Sequence, residues 1–182
     1  DNIDLIDRTM CNVYVLRISG KVLQIDAGMK GSAKLVINYY KENNIKPDIV
    51  LITHYHLDHI GGLKTIKDKY NPEIYASSVE IPVIDGTSSM GKPKSLGARI
   101  MFSMVRPEPV KGIRNINELK LEGIKVIETP GHTPGSTSFF VENERTVFIG
   151  ENTRLIWRRQ RNHLQRLKLF RPSLFFRGMA SQ

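Results

Sequence analysis

Thr53-His54-Tyr55-His56-Leu57-Asp58-His59-Ile60-Gly61-Gly62 follows directly on the apolar run of residues 49–52 and gathers three of the chain's five histidines within six residues. The run has the composition of a buried strand. In an extended segment, side chains two apart project to the same side, so the imidazoles of His54 and His56 can hold one ion. Asp58 and His59, reached where the chain turns into a helix, can face a second ion close by. Imidazole and carboxylate suit zinc, manganese or iron, and a strand-to-helix turn leaves coordination positions open for water. Gly61 and Gly62 let the backbone pack close to this loop. A solvent-exposed histidine-rich loop, or core histidines satisfied by backbone, is the plain alternative, but a buried strand on one side and a Gly-Gly helix start on the other make a poor setting for an idle loop.

Working outward, alternating or continuous apolar runs predict strands at residues 13–18, 22–25 and 49–53. Residues 31–43 carry Leu35, Val36, Tyr39 and Tyr40 at helical spacing, and the Asn43-Asn44 pair followed by Pro47 ends that helix. A second short helix is expected over residues 60–70, closed by Asn71-Pro72. A strand at 74–76, one or two helical turns within 77–84 and a Gly-, Ser- and Lys-rich mobile loop over 85–97 follow. Strands resume at 118–121, 125–128, 137–141 and 146–149. Strands with helices between them indicate an α/β sandwich.

A second loop, Thr129-Pro130-Gly131-His132-Thr133-Pro134-Gly135-Ser136, again follows a strand and is shaped by proline and glycine. Its histidine is either incidental to a tight turn or the third imidazole of a set with His54 and His56.

Composition narrows the class. Apolar residues make up 40% and charged residues 25% of 182, ordinary for a folded globular protein. Cys11 is the only cysteine, so no internal disulfide forms and a metal site must use histidine and carboxylate. The lone cysteine fits a reducing, cytoplasmic setting best, and no apolar stretch long enough for a membrane span and no leader is visible. The chain starts at Asp1 rather than Met and so reads as a possible fragment. The net charge of +9 is unevenly distributed: residues 152–182 hold eight basic and no acidic side chains, leaving 19 basic against 18 acidic in residues 1–151. The body is therefore nearly neutral, which argues against a nucleic-acid track.

His-x-His-x-Asp-His followed by Gly-Gly, with the later Pro-Gly-His-Thr-Pro-Gly-Ser, resembles the metallo-β-lactamase superfamily over about residues 12–151. The resemblance implies an αββα sandwich, with a second half that is incomplete in this chain. It implies that His54, His56 and His132 hold one metal, that Asp58 and His59 hold a second, and that Glu151 bridges the two, although the family usually has Asp there and Glu151 reads equally as a surface residue. Asp26, in Ile25-Asp26-Ala27-Gly28, matches the family's early Asp-x-Gly and would support the metal loop from behind; an ordinary turn is its rival. The family's last histidine is expected roughly fifty residues beyond the bridging carboxylate, and only His163, in a basic stretch, is available.

Within the family, Thr-His-x-His-Leu-Asp-His-x-Gly-Gly is similar to hydroxyacylglutathione hydrolases. The expected function is hydrolysis of a small carboxylic thioester or ester by a metal-bound hydroxide, with one or two zinc ions (iron or manganese being the alternatives) and Asp58 orienting the water and taking its proton. Oxygen-reducing di-iron relatives usually carry Glu in place of His56, which favours zinc hydrolysis, with a one-iron persulfide dioxygenase left open. Two rival readings are a phosphodiesterase or ribonuclease, sharing the signature but lacking room here for a clamp domain, and an inactive metal-binding remnant. The substrate acyl group and the oligomeric state are not legible.

The body uses 13 Lys to 6 Arg, whereas residues 152–182 use 7 Arg to 1 Lys. Two readings account for the switch: a truncated or frame-shifted ending, or a basic amphipathic arm in which Leu155, Ile156, Leu164, Leu167 and Phe170 pack on the body. Pro172 and poor helical spacing favour the first. Translating the coding DNA beyond codon 150 in the other two frames should then restore acidic residues, a strand pattern and a Gly-His pair; stop codons without a histidine in both frames would leave the basic arm as real.

Overall fold

The computed structural model describes residues 2–89 and 106–150. Glu151, His163, the basic segment and the 90–97 part of the expected loop lie outside the described residues.

Strands β1 (Ile3–Ile6), β2 (Val13–Ile18), β3 (Lys21–Ile25), β4 (Ile49–Leu51), β5 (Glu73–Ala76) and β6 (Ile113–Asn115) form one sheet in that order. The first three pair antiparallel and the rest run parallel from β3 onward. Ser19 and Gly20, both at positive φ, make the two-residue turn between β2 and β3, whose twist matches the flanking strands. Strands β7 (Ile124–Glu128), β8 (Thr137–Val141) and β9 (Thr146–Phe148) form a second, antiparallel sheet.

The parallel strands are joined through helices α1 (Ala33–Glu42), α2 (Leu57–Ile60), α3 (Leu63–Tyr70) and α4 (Ile81–Ile84). Helix α1 buries Ala33, Val36 and Tyr40, spaced three and four apart, and α3 buries Leu63 and Ile66. β4 is the centre of the stack. Its Val50 joins Val36, Tyr40, Leu63 and Ile66 on the helical face, while Ile49 and Leu51 join Phe139, Val141 and Phe148 between the two sheets. Each such side chain contributes about 1.5–3 kcal/mol on burial, which is why β4 carries no polar residue. Among the described residues the layers are therefore helices, six-stranded sheet and three-stranded sheet; the outer helical layer of an αββα sandwich has no counterpart among them.

Most expected elements stand within a residue or two, and three differ. The strand expected at 118–121 is absent: Asn115 accepts a hydrogen bond from Asn117 N–H and starts a 3-10 turn over Ile116–Glu118, so pairing with β5 falls earlier, at β6. The alternation of Leu119 and Leu121 reflects packing against the inter-sheet core without ladder bonds. β1, not expected, is a four-residue edge strand at the chain start. The helix expected at 60–70 is two pieces, a single turn at α2 and then α3, because Gly61 and Gly62 interrupt it. The described start of the 85–97 loop is a hydrogen-bonded turn, with Thr87 N–H donating to Asp85 Oδ1 and Ser88 N–H to Pro82 O.

That interruption positions the histidine loop. Ala27 N–H donates to His59 O and Gly62 N–H to Gly28 O, so α2 docks edge-on against residues 26–30. A Cβ on Gly61 would lie 2.5 Å from Lys30 N, and one on Gly62 would overlap Ala27 O. Replacing Gly62 with Ala should therefore cost about 1–3 kcal/mol in chemical denaturation, whereas Gly31→Ala, with nothing within 4 Å of the added methyl, should be neutral or slightly stabilising. Equal stability of the two variants would refute this docking.

Candidate metal centre

Asp26, the loop from Thr53 to His59 and Glu80 all follow the carboxyl ends of neighbouring parallel strands, where open α/β sheets place their ligands. Asp26 has a left-handed backbone, φ 58°, and its side chain is almost fully buried. Its carboxylate accepts from Thr53 N–H (2.9 Å), from Thr53 Oγ1–H (3.0 and 2.8 Å to its two oxygens) and from His59 Nδ1 (2.8 Å). Behind it, Tyr40 Oη–H donates to Gln24 Oε1, and Gln24 Nε2 donates to the Asp26 carbonyl, both bonds fully buried. A buried carboxylate with three donors is stable where an unpaired one would be costly.

This network sets proton positions. With the Thr53 hydroxyl donating to Asp26, Thr53 Oγ1 is left to accept from His54 Nδ1 at 3.0 Å, the arrangement that puts the His54 proton on Nδ1. Burial, and then the imidazoles of His59, His56 and His132, hold His54 far below the usual histidine range. His54 is thus neutral at pH 7 with its lone pair on Nε2, an atom that is buried and has no hydrogen-bond partner among the described residues. His56 is pushed down to about 4, chiefly by burial and by His132, against the opposing pull of Asp58.

His132 reaches the same point from the second sheet. Its Nε2 lies 2.7 Å from His56 Nδ1, and one ligand nitrogen from each of His54, His56 and His132 falls within 4.8 Å of the others. Two nitrogens on one tetrahedral ion stand about 3.4 Å apart for bonds near 2.1 Å, a separation that lies between the 2.7 Å of the His56–His132 pair and the 4.8 Å limit of the set. His54 and His56, held neutral at pH 7, the first with a bare buried lone pair, suit a divalent ion. His59, held through Nδ1 by Asp26, has Nε2 3.5 Å from Asp58 Oδ2, so these two adjacent side chains sit together beside the triad. Gly150 packs against the centre, and a Cβ there would lie 2.8 Å from His54 Nδ1.

Sequence reasoning missed Thr53 as a participant, together with Gln24, Tyr40 and Glu80. Gln24 was detectable as a lone amide in the apolar strand β3, and Glu80 as the acidic residue that opens the apolar turn of α4. Glu80, fully buried, accepts from Tyr55 N–H, Thr133 Oγ1–H and Gly135 N–H, each at 2.8 Å.

No helix among the described residues is long and apolar enough to cross a membrane. The sequence profile of the metallo-beta-lactamase superfamily matches residues 6–152. The chain is 29% identical over 144 residues to the probable metallo-hydrolase YqgX of Bacillus subtilis, covering 77% of this chain and 64% of that protein. It is 34% identical over 118 residues to a hydroxyacylglutathione hydrolase of Prochlorococcus marinus, covering 64% of this chain and 40% of that one. The chain thus spans from two fifths to just under two thirds of the length of these curated relatives. Among solved structures, BJP-1, a subclass B3 metallo-beta-lactamase of Bradyrhizobium japonicum, superposes with a TM-score of 0.63 at 27% identity, over 76% of this chain and 53% of that one. The di-iron-bound form of TTHA1623 shares the fold at a TM-score of 0.64 and 22% identity, over 80% of this chain and 69% of that one. With the paired histidine loops, the sheet order and the profile match in agreement, the chain belongs to the metallo-β-lactamase superfamily.

Proposed function

We propose that this chain is the metal-binding part of a hydrolase that cleaves a small carboxylic thioester or ester. The observation that carries the reading is the convergence of three imidazoles from two different sheets on one point, with the His54 lone pair bare and buried there. His54, His56 and His132 would hold the first ion; Asp58 and His59, joined by Glu151 from just beyond Gly150, would hold a second. Bound there, a divalent ion supplies Lewis acidity, bringing the pKa of a coordinated water toward neutrality and polarising a carbonyl. The imidazole-rich donor set suits zinc, with iron or manganese as alternatives.

The rest is work for the chain's own side chains. Asp58, partly exposed beside His59, would orient a water at the centre and accept its proton. Asp26 holds the ring of His59 through Nδ1, and Thr53 holds that of His54, so neither can rotate its other nitrogen away from the centre. The hydroxyacylglutathione hydrolases among the relatives favour a thioester, and the near-neutral body disfavours a polyanionic substrate.

The test pairs metal analysis with a substrate comparison. Purified protein should contain a divalent ion, His56→Ala should lose that ion and turnover together, and a small thioester should be cleaved faster than bis-nitrophenyl phosphate or single-stranded RNA under matched conditions. Full metal content in His56→Ala would sink the site. Faster phosphodiester cleavage would move the assignment to a nuclease, and bound metal without turnover of any substrate would identify a non-catalytic metal protein.

A further inference from the structure

The two histidine loops come from different sheets, so something must set the distance between them. Direct backbone contact supplies one link, Thr137 N–H donating to Thr53 O at 2.9 Å, but it lies at the strand ends, before His54 and beyond His132. Glu80 supplies the link nearest the imidazoles. One carboxylate oxygen accepts from Tyr55 N–H, the residue between His54 and His56. The other accepts from Thr133 Oγ1–H, next to His132, and from Gly135 N–H.

We infer that Glu80 is a positioning residue that clamps the His54–His56 loop to the His132 loop and so holds the three imidazoles at metal-binding separation. The inference rests on the metal-centre reading above. Four features of the surroundings support it. Glu80 is fully buried, yet no lysine or arginine pairs with it among the described residues, so its donors are the Tyr55 and Gly135 amides and the Thr133 hydroxyl. All three belong to the metal loops, and a carboxylate, with two oxygens that only accept, can serve both loops at once. Gly135 is moulded to it, since a Cβ there would stand 2.6 Å from Glu80 Oε1. The Thr133 hydroxyl is also fixed by Ser136 Oγ at 2.8 Å, so the Pro-Gly-His loop meets Glu80 as a closed unit.

The geometry distinguishes Glu80 from an ordinary buried polar group. A Gln side chain has the same shape but turns one oxygen into an NH2 donor, which then faces either Tyr55 N–H or the Thr133–Gly135 pair. One loop must therefore be released, and the imidazoles it carries gain freedom. Residues that orient ligands from behind in this way change metal affinity by about 10–100-fold.

The experiment uses the full chain and zinc. The zinc dissociation constant is measured by competition with a chromophoric chelator for the unsubstituted protein, Glu80→Gln and Thr133→Val, at a temperature where circular dichroism shows all three folded. Glu80→Gln should weaken zinc binding about 10–100-fold, and Thr133→Val, which removes one of the three donors, about 3–10-fold. Affinity within twofold of the unsubstituted protein in both folded variants would overturn the clamp while leaving the metal site intact. If Glu80→Gln does not fold, the Thr133→Val result decides alone on the same criterion. Failure of the unsubstituted protein to bind zinc, iron or manganese would instead overturn the metal-centre reading and the clamp with it.

Discussion

The buried carboxylate of Asp26 is the interaction on which the rest of the centre depends. Asp26 ends β3 with a left-handed backbone, a conformation that costs an L-residue of order 1 kcal/mol and persists only where its surroundings over-determine it. Here they do. The Gln24 amide grips its carbonyl, Tyr40 fixes the amide, and the side chain collects Thr53 and His59. A single residue thereby joins two parallel strands and sets both the orientation of His59 and the tautomer of His54. Because all of these groups are buried, each bond is made in a low-dielectric interior where an unmet partner would be costly.

Crowding four imidazoles has an electrostatic consequence. Burial, and then neighbouring imidazoles whose ring centroids stand 4.0–4.8 Å away, disfavour protonation of His54 and His56. Among the described residues the cluster's charge pairing is confined to His59, which Asp26 and Asp58 both approach. What it gains is convergence, with one ligand nitrogen from each of His54, His56 and His132 within 4.8 Å of the others. Local rules of favourable pairing are broken at this place and kept elsewhere, as expected where a protein builds a site.

Rigidity comes from the layer beneath. β4 is apolar on both faces, so it is locked between the helices and the second sheet and its last residues deliver Thr53 and His54 to a defined position. The second sheet, anchored to the first by Phe139, Val141 and Phe148, brings in His132. Glycines carry the close approaches: Gly61 and Gly62 where α2 meets residues 26–30, Gly135 against Glu80 and Gly150 against His54.

The amino-acid sequence by itself determined the local chemistry. The spacing of His54, His56, Asp58 and His59 after an apolar run, and the Pro-Gly-His-Thr-Pro-Gly loop, made the candidate ligand types, the strand-to-turn placement and the superfamily legible, because backbone periodicity and loop-forming residues are short-range properties. Helix ends were legible for the same reason: Asn71, left-handed at φ 48°, closes α3 where Asn71-Pro72 marks it. The β6 pairing was not legible, since whether Ile113 or Leu119 joins the ladder depends on which segment reaches β5 once the core has closed. Nor was the role of Glu80, which is separated from Thr133 by 53 residues and meets it only across two sheets. Tertiary structure alone decided which proton sits on which nitrogen and which carboxylate braces which loop, because those outcomes depend on distances between segments that only packing brings together.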